Sequence, residues 1–233
     1  MSEATIAPRV VPVMELEGVA LRKMKDPFSL VIKSGELVFF ECDREDVIPD
    51  LWSVFLGVDD PEIGSVHFDG VNWREMEDAQ LEANRLSSGC VYTGSGKYES
   101  TWLDNLDIDE NVVLAQSMNP AYTQAELDTR LGELLKYFGL NELPGRRPVK
   151  VSAKESMRAQ WVRAFLPKSL KLLILEKPTL GMPMNAVRKL IEKVSEVRET
   201  GTAVLWIDVR REEEEMSAIS PSMYFDELPV GLR

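Results

Sequence analysis

The residues from Cys42 to Asp50 occupy a place suited to a phosphate, and their types oppose one. Gly35-Glu36-Leu37-Val38-Phe39-Phe40 reads as a buried strand, and Asp50-Leu51-Trp52-Ser53-Val54-Phe55-Leu56-Gly57 reads as a helix. A strand, a short turn and a helix frame the phosphate-binding loop G-x-x-x-x-G-K-[ST]. In that loop glycines let backbone N–H groups curl around an anion, lysine neutralises it, and a hydroxyl holds Mg²⁺. The turn here, Cys42-Asp43-Arg44-Glu45-Asp46-Val47-Ile48-Pro49, has no glycine, lysine, serine or threonine. Pro49 removes one N–H donor, although proline is tolerated in a first helical turn. Asp43, Glu45, Asp46 and Asp50 surround the spot with carboxylates against one Arg44. Acids at a helix N-terminus stabilise the helix by about 0.3–1 kcal/mol each, so the helix end is satisfied from within.

Two other groups carry potential chemistry. Glu176-Lys177 follows the apolar run Leu170 to Leu175. Glu176 could hold a metal ion or pair with Lys177 or Arg44. Lys177 is a poor general base, because a lysine is cationic at neutral pH unless buried. Ser152-Ala153-Lys154-Glu155 opens a helix. Ser152 offers either a hydroxyl to a ligand or an N-cap, with Glu155 three residues on completing a capping box.

These groups need a scaffold, and the chain is long enough to build one. It has 233 residues and 44% apolar content, which supports one large domain. The formal charge of −12 argues against nucleic acid and against direct association with an anionic membrane. One histidine excludes two-histidine mechanisms, and two cysteines, Cys42 and Cys90, fit a reducing compartment rather than a disulfide framework. Met1 to Thr5 carries an acid and no apolar stretch of a signal peptide, and no run approaches the roughly 18–20 apolar residues of a membrane span. The acidic run Glu212 to Glu215 reads as a solvated surface.

Strands are expected at Val10–Val19, Phe28–Ile32, Leu37–Phe40, Ser65–Gly70, Gly89–Tyr92, Leu170–Leu175 and Thr202–Ile207. Helices are expected at Thr123–Gly139, Ala153–Phe165 and Ala186–Thr200, the first from Leu127, Leu131, Leu134, Leu135 and Phe138 at helical spacing. Strands and helices alternate in the second half, which predicts a parallel sheet with helical cover. Thr93 to Thr101 reads as irregular and Gly/Ser-rich. Trp52 and Trp161 read as core residues.

In order and interval, these segments together resemble the ATP-binding cassette (ABC) ATPase family. Gly35-Glu36 to Gly57 matches the span from the family's "GE" strand to the glycine closing the phosphate-loop helix. Pro61-Glu62-Ile63-Gly64-Ser65-Val66 with Asp69-Gly70, and Leu106-Asp107-Ile108-Asp109-Glu110-Asn111-Val112, look like the motifs that follow. Val151-Ser152-Ala153-Lys154-Glu155 with Arg158 and Arg163-Ala164 sits where "L-S-G-G-Q…R…R-A" belongs. Leu172-Leu173-Ile174-Leu175-Glu176-Lys177-Pro178-Thr179 sits where "L-L-L-L-D-E-P-T" belongs. Gly201 to Ile207 matches the strand before the family's switch histidine.

The resemblance implies an α/β fold: a RecA-like P-loop NTPase-type core with an N-terminal antiparallel β subdomain. A helical subdomain at about 95–165 is inserted in a single domain covering 1–233. It also exposes departures. The loop lysine falls on Ile48, its Ser and Thr on Pro49 and Asp50, and its glycines on Cys42, Glu45 and Val47. The metal-holding glutamine falls near Thr93, the catalytic glutamate on Lys177, the switch histidine on Val209 and the D-loop aspartate on Pro183. The expectation is a non-catalytic, cytoplasmic pseudo-ATPase without bound cofactor. It would form the structural or regulatory half of a membrane transporter, possibly of lipid type, with ATP and Mg²⁺ on a partner cassette in a homo- or heterodimer. It would lie at the inner membrane face through membrane subunits, which would dock at an exposed pair, Trp102-Leu103. The alternatives are a cassette that binds and hydrolyses ATP through an atypical loop, and a free-standing scaffold or regulator.

Overall fold

The computed structural model of the protein describes residues 11–22, 26–42, 45–94, 101–209 and 222–225. For Cys42, Val209 and 222–225 it describes the backbone alone. Asp43, Arg44, most of the Gly/Ser-rich stretch and the acidic run Glu212 to Glu215 lie outside the described residues.

Two sheets organise the chain. The first is antiparallel, in the order β2 (Phe28–Ile32), β1 (Met14–Ala20), β4 (Ile63–Phe68), β5 (Val71–Asn72). The second has five strands in the order β6 (Ser88–Val91), β7 (Leu172–Glu176), β8 (Ala203–Val209), β3 (Leu37–Cys42), β9 (Ser222–Phe225). Its first four strands are parallel and β9 is antiparallel to β3. The apolar runs read from the sequence are these parallel strands, buried on both faces as such strands must be.

Side-chain alternation divides the interior in two. Val38, Phe40, Leu172, Ile174, Leu205 and Ile207 point toward the antiparallel sheet and α1 (Ile48–Phe55). Leu37, Phe39, Leu173, Leu175, Val204 and Trp206 point to the opposite core, shared with α3 (Ile108–Ser117), α4 (Gln124–Phe138), α5 (Ala153–Phe165) and α6 (Met184–Glu199). Trp161 is fully buried there and Trp52 is buried in the first core, as their helical positions predict.

Helix ends follow local chemistry. Thr123 caps α4 by accepting from the Glu126 N–H, while the Glu126 carboxylate accepts from the Thr123 N–H at 2.8 Å. Gly139 closes the same helix at φ +70°, a left-handed position that glycine adopts without strain. Two helices escaped the periodicity reading. α2 (Asp78–Leu86) buries none of its residues, so it has no apolar stripe, and α3 buries only part of one face. Each nonetheless starts with a capping box, Glu77 with Gln80 and Asp107 with Glu110.

At Gly89 on β6 a Cβ would overlap the backbone carbonyl oxygen of Ala164 on α5, the tightest such overlap among the described glycines. Gly89→Ala is therefore expected to destabilise the fold by about 1–3 kcal/mol or more. Gly132, mid-α4 and exposed with nothing near its Cβ position, should respond oppositely. Gly132→Ala should stabilise by roughly 0.4–1 kcal/mol. Urea unfolding of the two variants checks both signs at once.

Candidate functional site

The carboxyl ends of β3, β7 and β8 and the loop after β6 bring most of the sequence-identified residues to one edge of the parallel sheet. Cys42 ends β3 beside Val209, which ends β8, and Glu176 ends β7 beside Ile207. Thr93 follows β6. In open α/β sheets, ligands are held outside this edge.

The described part of the turn does not form a phosphate nest. Such a nest alternates right- and left-handed residues so that successive N–H groups converge. Glu45–Val47 instead form a right-handed 3₁₀ turn continuous with α1, and none of them has positive φ. Val47, Ile48 and Pro49 are buried, and no side chain caps the helix start. Isoleucine at 48 puts an apolar side chain into the core where the resemblance places the phosphate-binding lysine.

A lysine nonetheless reaches the turn from another element. Lys177 Nζ pairs with the Glu45 carboxylate. Lys177 is largely sheltered and sits at φ +40°, a left-handed conformation that costs a non-glycine residue roughly 1–2 kcal/mol. Several bonds hold it there. Its N–H donates to the Ile207 carbonyl at 3.0 Å, its carbonyl accepts from the Leu180 N–H at 3.0 Å, and the Trp161 indole N–H donates to the Pro178 carbonyl at 3.0 Å. The cation and anion that meet at this edge both belong to the protein.

Glu176 does not form the ion pair with Lys177 that the sequence suggested, and Arg44, the other partner considered, lies outside the described residues. It is fully buried, and its carboxylate faces Thr93 and Trp52. The Thr93 hydroxyl lies 2.7 Å from Oε1, and Oε2 accepts from the Thr93 N–H at 3.3 Å and the Trp52 indole N–H at 3.2 Å. Burial pushes its pKa up, against the opposing pull of the Thr93 bonds, the Lys177 charge and the Trp52 bond. Lys177 is drawn to the exposed Glu45 because a buried carboxylate already supplied with donors gains little from it, while an exposed one keeps most of its hydration.

Sequence reading treated Trp52 only as core and did not identify Gln160. The Gln160 side chain accepts from the Tyr92 N–H at 2.9 Å and so fixes the strand end that presents Thr93. Tyr92 and Trp52 stack edge to face with centroids 5.3 Å apart. The available signal was a glutamine amid the otherwise apolar positions of α5.

The Ser152 group sits apart, at the start of α5. Ser152 accepts from the Glu155 N–H at 3.3 Å, and the Glu155 carboxylate accepts from the Ser152 N–H at 3.0 Å and pairs with Arg146 at 2.6 Å. These contacts hold the Glu155 carboxyl below its ordinary pKa, the Ser152 hydroxyl contributing most. Ala153 and Lys154 are exposed on the first turn. Among the described residues, no hydrogen bond or ion pair joins 152–155 to the edge of the sheet.

The expected docking pair is split. Trp102 is buried, its indole donating to Ser156 Oγ at 2.8 Å and its ring lying 4.4 Å from the Arg163 guanidinium. Leu103 alone is exposed, at 52%. Trp102 therefore anchors the start of the helical layer. The separation has a simple cause: an indole with both a hydrogen-bond acceptor and a cation over its face has more to gain inside than at the surface.

Glu176 supports a pH test. Its folded-state pKa is raised, so its contribution favours folding below the unfolded carboxyl pKa and is lost as pH rises through the folded value. Glutamine at 176 can accept from both N–H groups and donate to the Thr93 hydroxyl without carrying a charge. Glu176→Gln should leave the melting temperature at pH 8 unchanged or raised. That advantage should shrink toward pH 4.5, a trend read directly from paired thermal melts. Breaking the network is different: Trp52→Phe should cost about 1–3 kcal/mol by removing a buried donor.

No protein-family model matches the chain. The fructose import ATP-binding protein FruK of Bifidobacterium longum is 21% identical over 212 residues, 89% of this chain and 40% of that protein. The cell division ATP-binding protein FtsE of Mycobacterium tuberculosis is 24% identical over 184 residues, 79% of this chain and 77% of that one. The chain thus spans about 40% of the length of the sugar-import relative and most of the shorter one. Among solved structures, the ATP-binding subunit of an ABC transporter superimposes with TM-score 0.69 at 20% identity, covering 84% of this chain and 79% of that one. The dimeric bacterial ABC transporter cassette MJ0796 does so with TM-score 0.68 at 22% identity, covering 84% and 87%. Among the described residues, no helix is long and apolar enough to cross a membrane. By these likenesses the chain is similar to the ATP-binding cassettes of ABC transporters and shares their RecA-like P-loop NTPase-type fold.

Proposed function

We propose that this chain is a non-catalytic cassette, the structural or regulatory half of a membrane transporter. The observation that carries this is the turn between β3 and α1. Its described part is a right-handed 3₁₀ turn, and Glu45 brings an anion that Lys177 already neutralises. A nucleotide would have to displace that pair, refold the turn and approach Asp46 and Asp50. Hydrolysis would further need a base where Lys177 stands. Its Mg-ATP would belong to a partner cassette, and its lack of a membrane-crossing helix among the described residues suits attachment through membrane subunits. The relatives named above are labelled for sugar import and cell division, so the lipid-type refinement is not carried into the proposal.

One observation favours a second reading, an ATP-binding cassette with an atypical loop. Sequence reading found no lysine reaching the turn from elsewhere, whereas Lys177 does. If that lysine served a phosphate, Glu45 would be a removable competitor.

Titration of Mg-ATP by calorimetry separates the two. The non-catalytic reading expects no saturable binding below about 1 mM, corresponding to less than about 4 kcal/mol of binding free energy, both in the natural sequence and in Glu45→Ala. A micromolar site in Glu45→Ala, abolished by Lys177→Ala, would establish the second reading instead. Affinity purification from membranes should recover a permease-like chain and a second cassette. Recovery of the chain alone, from a host shown to carry such partners, would favour the free-standing scaffold.

A further inference from the structure

The outer face of the antiparallel sheet gathers a second set of chemistry-bearing side chains, remote in sequence from the turn and unused by the reading above. Met14 and Leu16 on β1 point into the core, so Glu15 and Glu17 share the opposite face. On β4, His67 stands directly opposite Glu15, and Ser65 directly opposite Glu17. One ligand atom from each of Glu15, Glu17 and His67 lies within 4.8 Å of the others. The Ser65 hydroxyl is 3.5 Å from Glu17 Oε2.

A second observation concerns His67, the only histidine in the sequence. Its Nδ1 is buried and has no hydrogen-bond partner among the described residues. Leaving such an atom unsatisfied costs about 1–3 kcal/mol. A cation bound by the ring and the two carboxylates would give the ring a reason to hold its place.

The backbone beneath is fixed. The ladder from β1 shifts register after Glu17 through a bulge at Gly18, whose φ is +55° and whose N–H donates to Ser29 Oγ at 2.9 Å. Gly64 has no Cβ, which lets β4 run against the carbonyls of Glu17 and Gly18. A bulge at this point pins the register, so Glu17 and His67 cannot slide apart.

We propose that Glu15, Glu17 and His67 form a binding site for a divalent transition-metal ion, with zinc the best fit, clipping β1 to β4. One imidazole nitrogen and two carboxylate oxygens are a ligand set zinc accepts at about 2.0–2.2 Å, with a water in the fourth position. Magnesium is disfavoured, because it demands octahedral oxygen ligation and dehydrates reluctantly. Small side-chain rotations would bring the three ligand atoms to the roughly 3–3.5 Å mutual spacing of a tetrahedral shell.

The test uses the full chain stripped with a chelator and exchanged into metal-free buffer. Calorimetry with zinc chloride should show one ion per chain at micromolar affinity, and the melting temperature should rise by several degrees in excess zinc. Magnesium chloride at the same concentration should do neither. His67→Gln and Glu17→Gln, both on a solvent-facing strand surface and checked for folding by circular dichroism, should each weaken zinc binding at least roughly tenfold. Loss of a mere outer-shell partner already costs that much. Absence of saturable zinc binding below about 100 µM overturns the proposal. So does binding that persists unchanged in folded His67→Gln, which would place the ion on the cysteines or on other acids. Neither result depends on whether the turn binds nucleotide.

Discussion

The edge of the parallel sheet is governed by one buried carboxylate. Glu176 ends the interior strand β7 with no exposed surface, and a group of that kind must be hydrogen-bonded, neutralised or both. The protein meets that requirement with Thr93 and Trp52 and leaves Lys177 to a different partner. Much of the local architecture follows. Trp52 must face the sheet, which fixes the rotation of α1. Thr93 must stand at the end of β6, which Gln160 secures from α5. The next residue turns left-handed, and Lys177 is thereby aimed at the start of α1 rather than into the core.

That arrangement explains how a helix can begin beside a crowd of acids. An α1 start without a side-chain cap has free N–H groups and a positive dipole end. Elsewhere in nature such an end attracts phosphate. Here Asp50 lies in the first turn, Glu45 and Asp46 in the 3₁₀ turn before it, and Lys177 offsets part of their charge. The helix end, the described acids and the lysine thus offset one another in part.

Much of the fold could be read before the structure, because it rests on runs and periods. The parallel strands are continuous apolar segments, and α4, α5 and α6 carry apolar residues at helical spacing with legible caps at Thr123 and Ser152. What escaped was decided by tertiary context. α2 buries nothing and so shows no period, and β9 pairs with β3 from far along the chain. The site divides the same way. The missing glycines and lysine of the turn are plain in the sequence. The partner of Glu176 is not, because sequence adjacency suggests Lys177, whereas a strand end followed by a left-handed residue sends the two side chains apart. The fate of Trp102 was equally hidden, since it depends on Ser156 and Arg163, both more than fifty residues away.

The two faces of the molecule therefore make different demands on a polar group. At the sheet edge, Lys177 pairs with Glu45, and the buried Glu176 carboxylate is supplied by Thr93 and Trp52. On the outer face of the antiparallel sheet, a histidine nitrogen lies buried without a partner while two carboxylates converge on the same ring. The orphaned nitrogen beside the two carboxylates, rather than the mere presence of acids, is what points to a ligand on the β1–β4 face.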